Sequence, residues 1–145
     1  MRPLPRAAGA LVGALLVRTA LASPQQDYIL YCMGCHGAQG QGVPGKVPPL
    51  AGSLPLFMRS AAGRDYLLRV PGAANSALTD AQLTAVLNWL AASFPPAGAT
   101  APAPEPFTVE ELAKARRLPL ANVQDTRREV VRALASSGPA PPSSY

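Results

Sequence analysis

Tyr31-Cys32-Met33-Gly34-Cys35-His36-Gly37 is the stretch on which the reading of this chain turns. Two thiols three positions apart, followed at once by an imidazole, form the pattern of covalent haem attachment. Thiols so spaced near a helix end can both add to the vinyl groups on one porphyrin edge. The adjacent His36 then lies under the iron as its proximal ligand. His36 is the one histidine of the chain, so no other imidazole competes. A structural zinc site would need four ligands, and there is no second Cys/His pair. A thioredoxin-type redox pair would want a βαβ setting, which the sequence lacks. A plain disulfide stays open on the cysteines alone, but it gives His36 nothing to do.

Working outward, the surroundings predict an all-α fold. A first helix is expected from Pro24 to about Met33, with Ser23 and Pro24 suited to the N-cap and first helical positions. A shorter helix is expected from Arg64 to Val70, stopped by Pro71-Gly72. The clearest follows the capping-box sequence Thr79-Asp80-Ala81-Gln82, with Leu83, Val86, Leu87, Leu90 and Phe94 along one face. Glycine- and proline-rich loops separate these helices, and no alternating run marks a strand. A core of about seventy residues is small for independent stability, and a cofactor packed among the helices would supply the missing apolar surface.

From about Gln25 to Phe94 the chain resembles the class I c-type cytochromes, especially the small bacterial periplasmic ones. The resemblance rests on the attachment string, then on Gly40-Gln41-Gly42-Val43-Pro44-Gly45 and Pro48-Pro49-Leu50-Ala51-Gly52. The last helix, Leu78-Thr79-Asp80 through Val86-Leu87-Asn88-Trp89-Leu90, adds to it. It implies one covalent haem c, with Cys32 and Cys35 as thioethers and His36 on the iron. It implies that the Pro48 carbonyl orients the His36 ring, which sets the basicity of the ligand. It also implies that Leu50 packs near the haem face and that Trp89 lies against the first helix near Tyr28.

The family's distal methionine usually stands in the loop before the last helix. That loop here reads Val70-Pro71-Gly72-Ala73-Ala74-Asn75-Ser76-Ala77, without methionine. Met33 is trapped between the cysteines and Met1 belongs to the leader, which leaves Met58 as the candidate sixth ligand. Beside Phe57 in an apolar stretch, Met58 is equally ordinary core filler. An open distal position, Asn75 or Lys46 are the alternatives. Arg64 and Arg69 could neutralise haem propionates or simply face solvent. Lys46 could also belong to a docking surface.

The rest of the chain places this domain in a longer design. Residues 1–22 read as a secretory leader: a basic start, an apolar run from Ala7 to Val17, and Ala20-Leu21-Ala22 as the cleavage signal. An uncleaved N-terminal anchor is the other reading of that run. Residues 23–94 form the haem domain, 95–106 a Pro/Ala linker, 107–136 a helical extension and 137–145 a tail expected to be disordered. In the extension, Thr108-Val109-Glu110-Glu111 predicts a capped helix, and Asn122 or Asp125 starts another carrying Val130, Val131 and Leu134. These helices, too short to stand alone, must pack back on the haem domain, dock on a partner or stay partly disordered.

The formal charge of +5 falls to +2 when Arg2, Arg6 and Arg18 leave with the leader. The basic pI therefore argues for no nucleic-acid partner. The expected role is a periplasmic one-electron carrier, without a stable membrane span, between a dehydrogenase and a terminal oxidase-side acceptor. No nucleophile–base pair or second cofactor motif suggests an enzyme. The alternatives are a small-ligand binder, sensor or peroxidase-like protein with an open iron face, and a haem subunit of a larger oxidoreductase.

Overall fold

Ser23 opens the first helix through a reciprocal cap: its hydroxyl accepts from the Gln26 N–H at 3.3 Å, and its own N–H donates to Gln26 Oε1 at 2.9 Å. A computed structural model describes residues 22–98 and 100–143. The expected leader, up to residue 21, lies outside the described residues. Helix α1 spans Pro24–Tyr31. The backbone breaks at Cys32 (φ −126°) and resumes as the single turn α2, Met33–His36. The long first helix expected from the sequence is thus divided at the first thiol.

A loop from 37 to 53 leads to α3, Leu54–Phe57. Then come α4, Ala61–Arg69, and α5, Pro71–Ala74. Helix α4 begins ahead of Arg64, where the sequence placed its start, because Ser60 caps it by accepting from the Gly63 N–H at 3.0 Å. Helix α6, Asp80–Ser93, opens on the Thr79/Gln82 capping box. Its face of Leu83, Val86, Leu87 and Leu90 is buried, as the helical spacing requires. Helices α1 and α6 cross with the Tyr28 and Trp89 rings 5.6 Å apart, and Phe94 closes edge-on against Trp89 at 5.9 Å.

Helices α7, Val109–Ala115, and α8, Val123–Ala135, belong to the same core. Phe107, Leu112, Val130, Val131 and Leu134 join Leu54, Phe57, Tyr66 and Leu68 in one hydrophobic cluster. Helix α8 packs on α4 and α3, while α7 packs on α6 and α4. The Pro/Ala stretch forms no helix, and it is bolted down at its far end. Asn88 donates to the Phe107 carbonyl at 3.0 Å and accepts from the Phe107 N–H at 2.8 Å. Arg64 donates to the Glu105 carbonyl at 2.6 Å and the Pro106 carbonyl at 3.0 Å, and its guanidinium lies 4.4 Å over the Phe107 ring. Beyond α8, Pro141 is buried and the Pro142 carbonyl accepts from Arg127 at 2.9 Å. This end of the tail is held against the core. Among the described residues, no strand forms and no helix is long and apolar enough to cross a membrane.

Candidate haem site

The break at Cys32 puts three side chains of the motif on one cavity. Cys32, Cys35 and His36 all line it, together with Pro48 and Leu50. Its volume is about 330 Å³, within the range that bound small molecules occupy. Helix α6 contributes Leu83, Val86, Leu87 and Leu90. Helix α4 contributes Tyr66 and Leu67, and α3 contributes Leu54 and Phe57. These three helices turn aliphatic and aromatic faces inward.

His36 is oriented by its neighbour across the loop. Its Nδ1 stands 3.1 Å from the Pro48 carbonyl oxygen. The tautomer protonated at Nδ1 donates to that carbonyl and leaves Nε2 bare for a metal. Burial holds the His36 pKa below its ordinary value, against the opposing pull of the Pro48 bond. The ring is therefore neutral at neutral pH, the form that ligates. Pro48 is itself held where Gly42 passes close beneath it. A Cβ on Gly42 would stand 2.3 Å from the Val47 oxygen and 2.8 Å from the Pro48 oxygen. On the other flank, the Tyr28 hydroxyl donates to the Gly37 carbonyl at 2.5 Å, which fixes the residue after the imidazole.

The two thiols are free of each other. Cys35 is exposed and Cys32 half-buried. Burial, then the charge of Asp27, raises the Cys32 pKa. A bare imidazole nitrogen, two adjacent thiols and a predominantly apolar hollow form the donor set that haem c requires. The residues present fit the group. When bound, haem supplies reversible one-electron chemistry at its iron.

Met58 does not join this set. It is 3 % exposed within the core cluster and is not among the residues lining the cavity. The preceding residue, Phe57, does line it. Met58 is the C-cap of α3 and lies within the core cluster. Asn75 is exposed and also stands outside the lining, whereas Lys46 lines the cavity from an exposed position. Arg64 and Arg69 are engaged elsewhere: Arg64 forks onto both Glu111 oxygens at 2.7 and 2.6 Å, and Arg69 pairs with Asp65 at 2.8 Å.

A buried cation enters the cavity from α8. Arg127 is 2 % exposed, lines the cavity beside Val123, and lies 5.1 Å over the Phe57 ring. The sequence carried a signal for it. Val123, Arg127, Val130, Val131 and Leu134 share one helical face, so an arginine occupies a core register.

No family model matches the chain. Two curated proteins do, both named cytochrome c-552 and both from Thermus thermophilus. The first is 34% identical over 124 residues, covering 71% of this chain and 83% of that protein. The second is 35% identical over 103 residues, covering 59% of this chain and 78% of that protein. The likeness extends over most of the relatives' length. It agrees with a helical fold whose thiols and oriented imidazole meet on one apolar cavity, and the chain accordingly belongs to the class I c-type cytochromes, electron-transfer proteins that carry covalent haem c.

Proposed function

We propose that this cytochrome is a periplasmic one-electron carrier, taking electrons from a periplasmic dehydrogenase and passing them toward a terminal oxidase-side acceptor. In this reading Cys32 and Cys35 form the thioethers, His36 binds the iron, Pro48 orients His36, and Leu50 packs on the haem face. Arg127 supplies a buried positive charge for the haem carboxylates, a task the sequence suggested for Arg64 and Arg69. The observation that carries the reading is the pairing of His36 with the Pro48 carbonyl at the wall of an apolar cavity. A ligand held rigidly by its second nitrogen moves little when the metal changes charge, which keeps electron transfer fast.

The cavity edge supports a carrier as well. Cys35 is exposed and Tyr31 is 55 % exposed, yet both line the cavity. Electrons can pass there without any opening of the core. The basic, apolar and Ala-x-Ala sequence of residues 1–22 supports export.

The test is reconstitution in the native periplasmic fraction. Deleting the gene should abolish dehydrogenase-dependent reduction of the terminal acceptor. Adding the purified haem-bearing protein, beginning at Ser23, should restore it. Full activity in the deleted strain, or a mature protein that still retains residues 1–22, would remove the corresponding part of the proposal.

A further inference from the structure

The cavity has two distinct sides. Helix α2 packs on α1 and carries the thiols and His36, with the loop of Lys46 and Pro48 behind it. The other side is built by α4 and α5, which pack on each other and contribute Tyr66, Leu67, Val70, Pro71, Gly72 and Ala73. Among the described residues that line the cavity there is no methionine. Met58 is buried in the core cluster outside that lining, and Met33 packs against the cluster from within the attachment motif.

The α4–α5 side is also fastened. Arg116, at the end of α7, donates to the Ala74 carbonyl at 3.2 Å, the Ser76 carbonyl at 2.5 Å and the Leu78 carbonyl at 3.0 Å. It also pairs with Asp80 at 2.9 Å. One guanidinium therefore ties the short loop between α5 and α6 at four points. A loop so held does not swing an outside residue into the cavity. Lys46 stands two residues from Pro48, on the side that carries His36. On the α4–α5 wall the one side chain with a polar atom is Tyr66, 4 % exposed and stacked 5.1 Å from Phe57.

We propose that the sixth position of the iron is not filled by a side chain in this protein. On the reduced protein it takes a small uncharged π-acceptor ligand against the largely apolar α4–α5 wall. The inference rests on haem attachment at Cys32, Cys35 and His36, and it adds ligand binding to the carrier role. Apolar walls suit an uncharged diatomic ligand.

Carbon monoxide is the probe, applied to the full haem-bearing chain after its haemochrome spectrum has established attachment. The dithionite-reduced protein should bind one carbon monoxide per haem with a saturating Soret shift. The oxidised protein should lack the near-infrared sulfur-to-iron band. Both properties should persist in Met58→Leu, which preserves the core volume. A sulfur-to-iron band that Met58→Leu abolishes would overturn the proposal. So would a haem-bearing wild type indifferent to carbon monoxide, including one made reactive by Lys46→Ala. Failure to attach haem at all would sink the carrier reading too, whereas indifference to carbon monoxide leaves that reading intact.

Discussion

At Gly42 the backbone has φ 68°, a conformation that side chains with a Cβ rarely adopt, and it runs directly under the carbonyl that orients His36. Gly42→Ala must displace the 47–48 backbone. It is expected to cost about 2 kcal/mol of stability from strain and a weakened His36–Pro48 bond. Thermal melts would check the first effect, and a shifted reduction potential would check the second. A variant with both properties unchanged would break the link between Gly42 and the iron ligand. A second residue-scale prediction concerns Arg64 and Glu111. The Arg64 hydrogen bonds hold the Glu111 pKa below its ordinary value, although partial burial opposes them. A depressed folded pKa gives stability that is present above the unfolded value near 4.5 and lost as pH falls through the folded one. Glu111→Gln should therefore be less stable than the wild type at neutral pH, and the gap should close on acidification below about 4.5. The gap should be modest, about 1 kcal/mol, because solvent reaches the pair. Chemical denaturation at several pH values would measure it.

Helices α7 and α8 show why short elements beyond a proline-rich stretch need not be appendages. Thr108 caps α7 by accepting from the Glu111 N–H at 3.1 Å. The Glu111 carboxylate, which a capping box would send back to Thr108, reaches across to Arg64 instead. Propensity alone would not hold a seven-residue helix, so burial does. Leu112 is fully buried, and Leu112→Ala is expected to cost about 3 kcal/mol through lost burial and the cavity left behind. Ending the chain after Phe94 removes Phe107, Leu112, Val130, Val131 and Leu134 from the core at once. The expected outcome is loss of a cooperative melt, and a truncated chain as stable as the full one would refute the integral role assigned here. These contacts were only partly legible beforehand. The helices and the register of Arg127 are local patterns, but Arg64 meets Glu105 and Glu111 more than forty positions away.

At the scale of the whole molecule, the helices surround a hollow whose lining is largely aliphatic, so a haem seated there as proposed would be part of the core as well as the redox centre. Cys32→Ala with Cys35→Ala removes covalent attachment. The doubly substituted chain, isolated without haem, should melt non-cooperatively or at a much lower temperature than the haem-bearing protein. Calorimetry of the two forms would decide, and equal melting temperatures would mean that the protein core is sufficient alone.

Local sequence sufficed for the cofactor and the all-α class, and it marks His36 as the proposed proximal ligand, because attachment and capping depend on residues only a few positions apart. Cys32, Cys35 and His36 are adjacent, and Ser23/Gln26 and Thr79/Gln82 cap their helices across three positions. The lining of the cavity beyond the attachment motif comes from distant segments. Residue type alone makes Met58 a candidate ligand, whereas its place outside the cavity lining is a matter of packing. Side-chain direction, the bolting of the α5–α6 loop by Arg116 and the entry of Arg127 depend on packing between distant segments. Such contacts are set by how helices share one core, which no local pattern records.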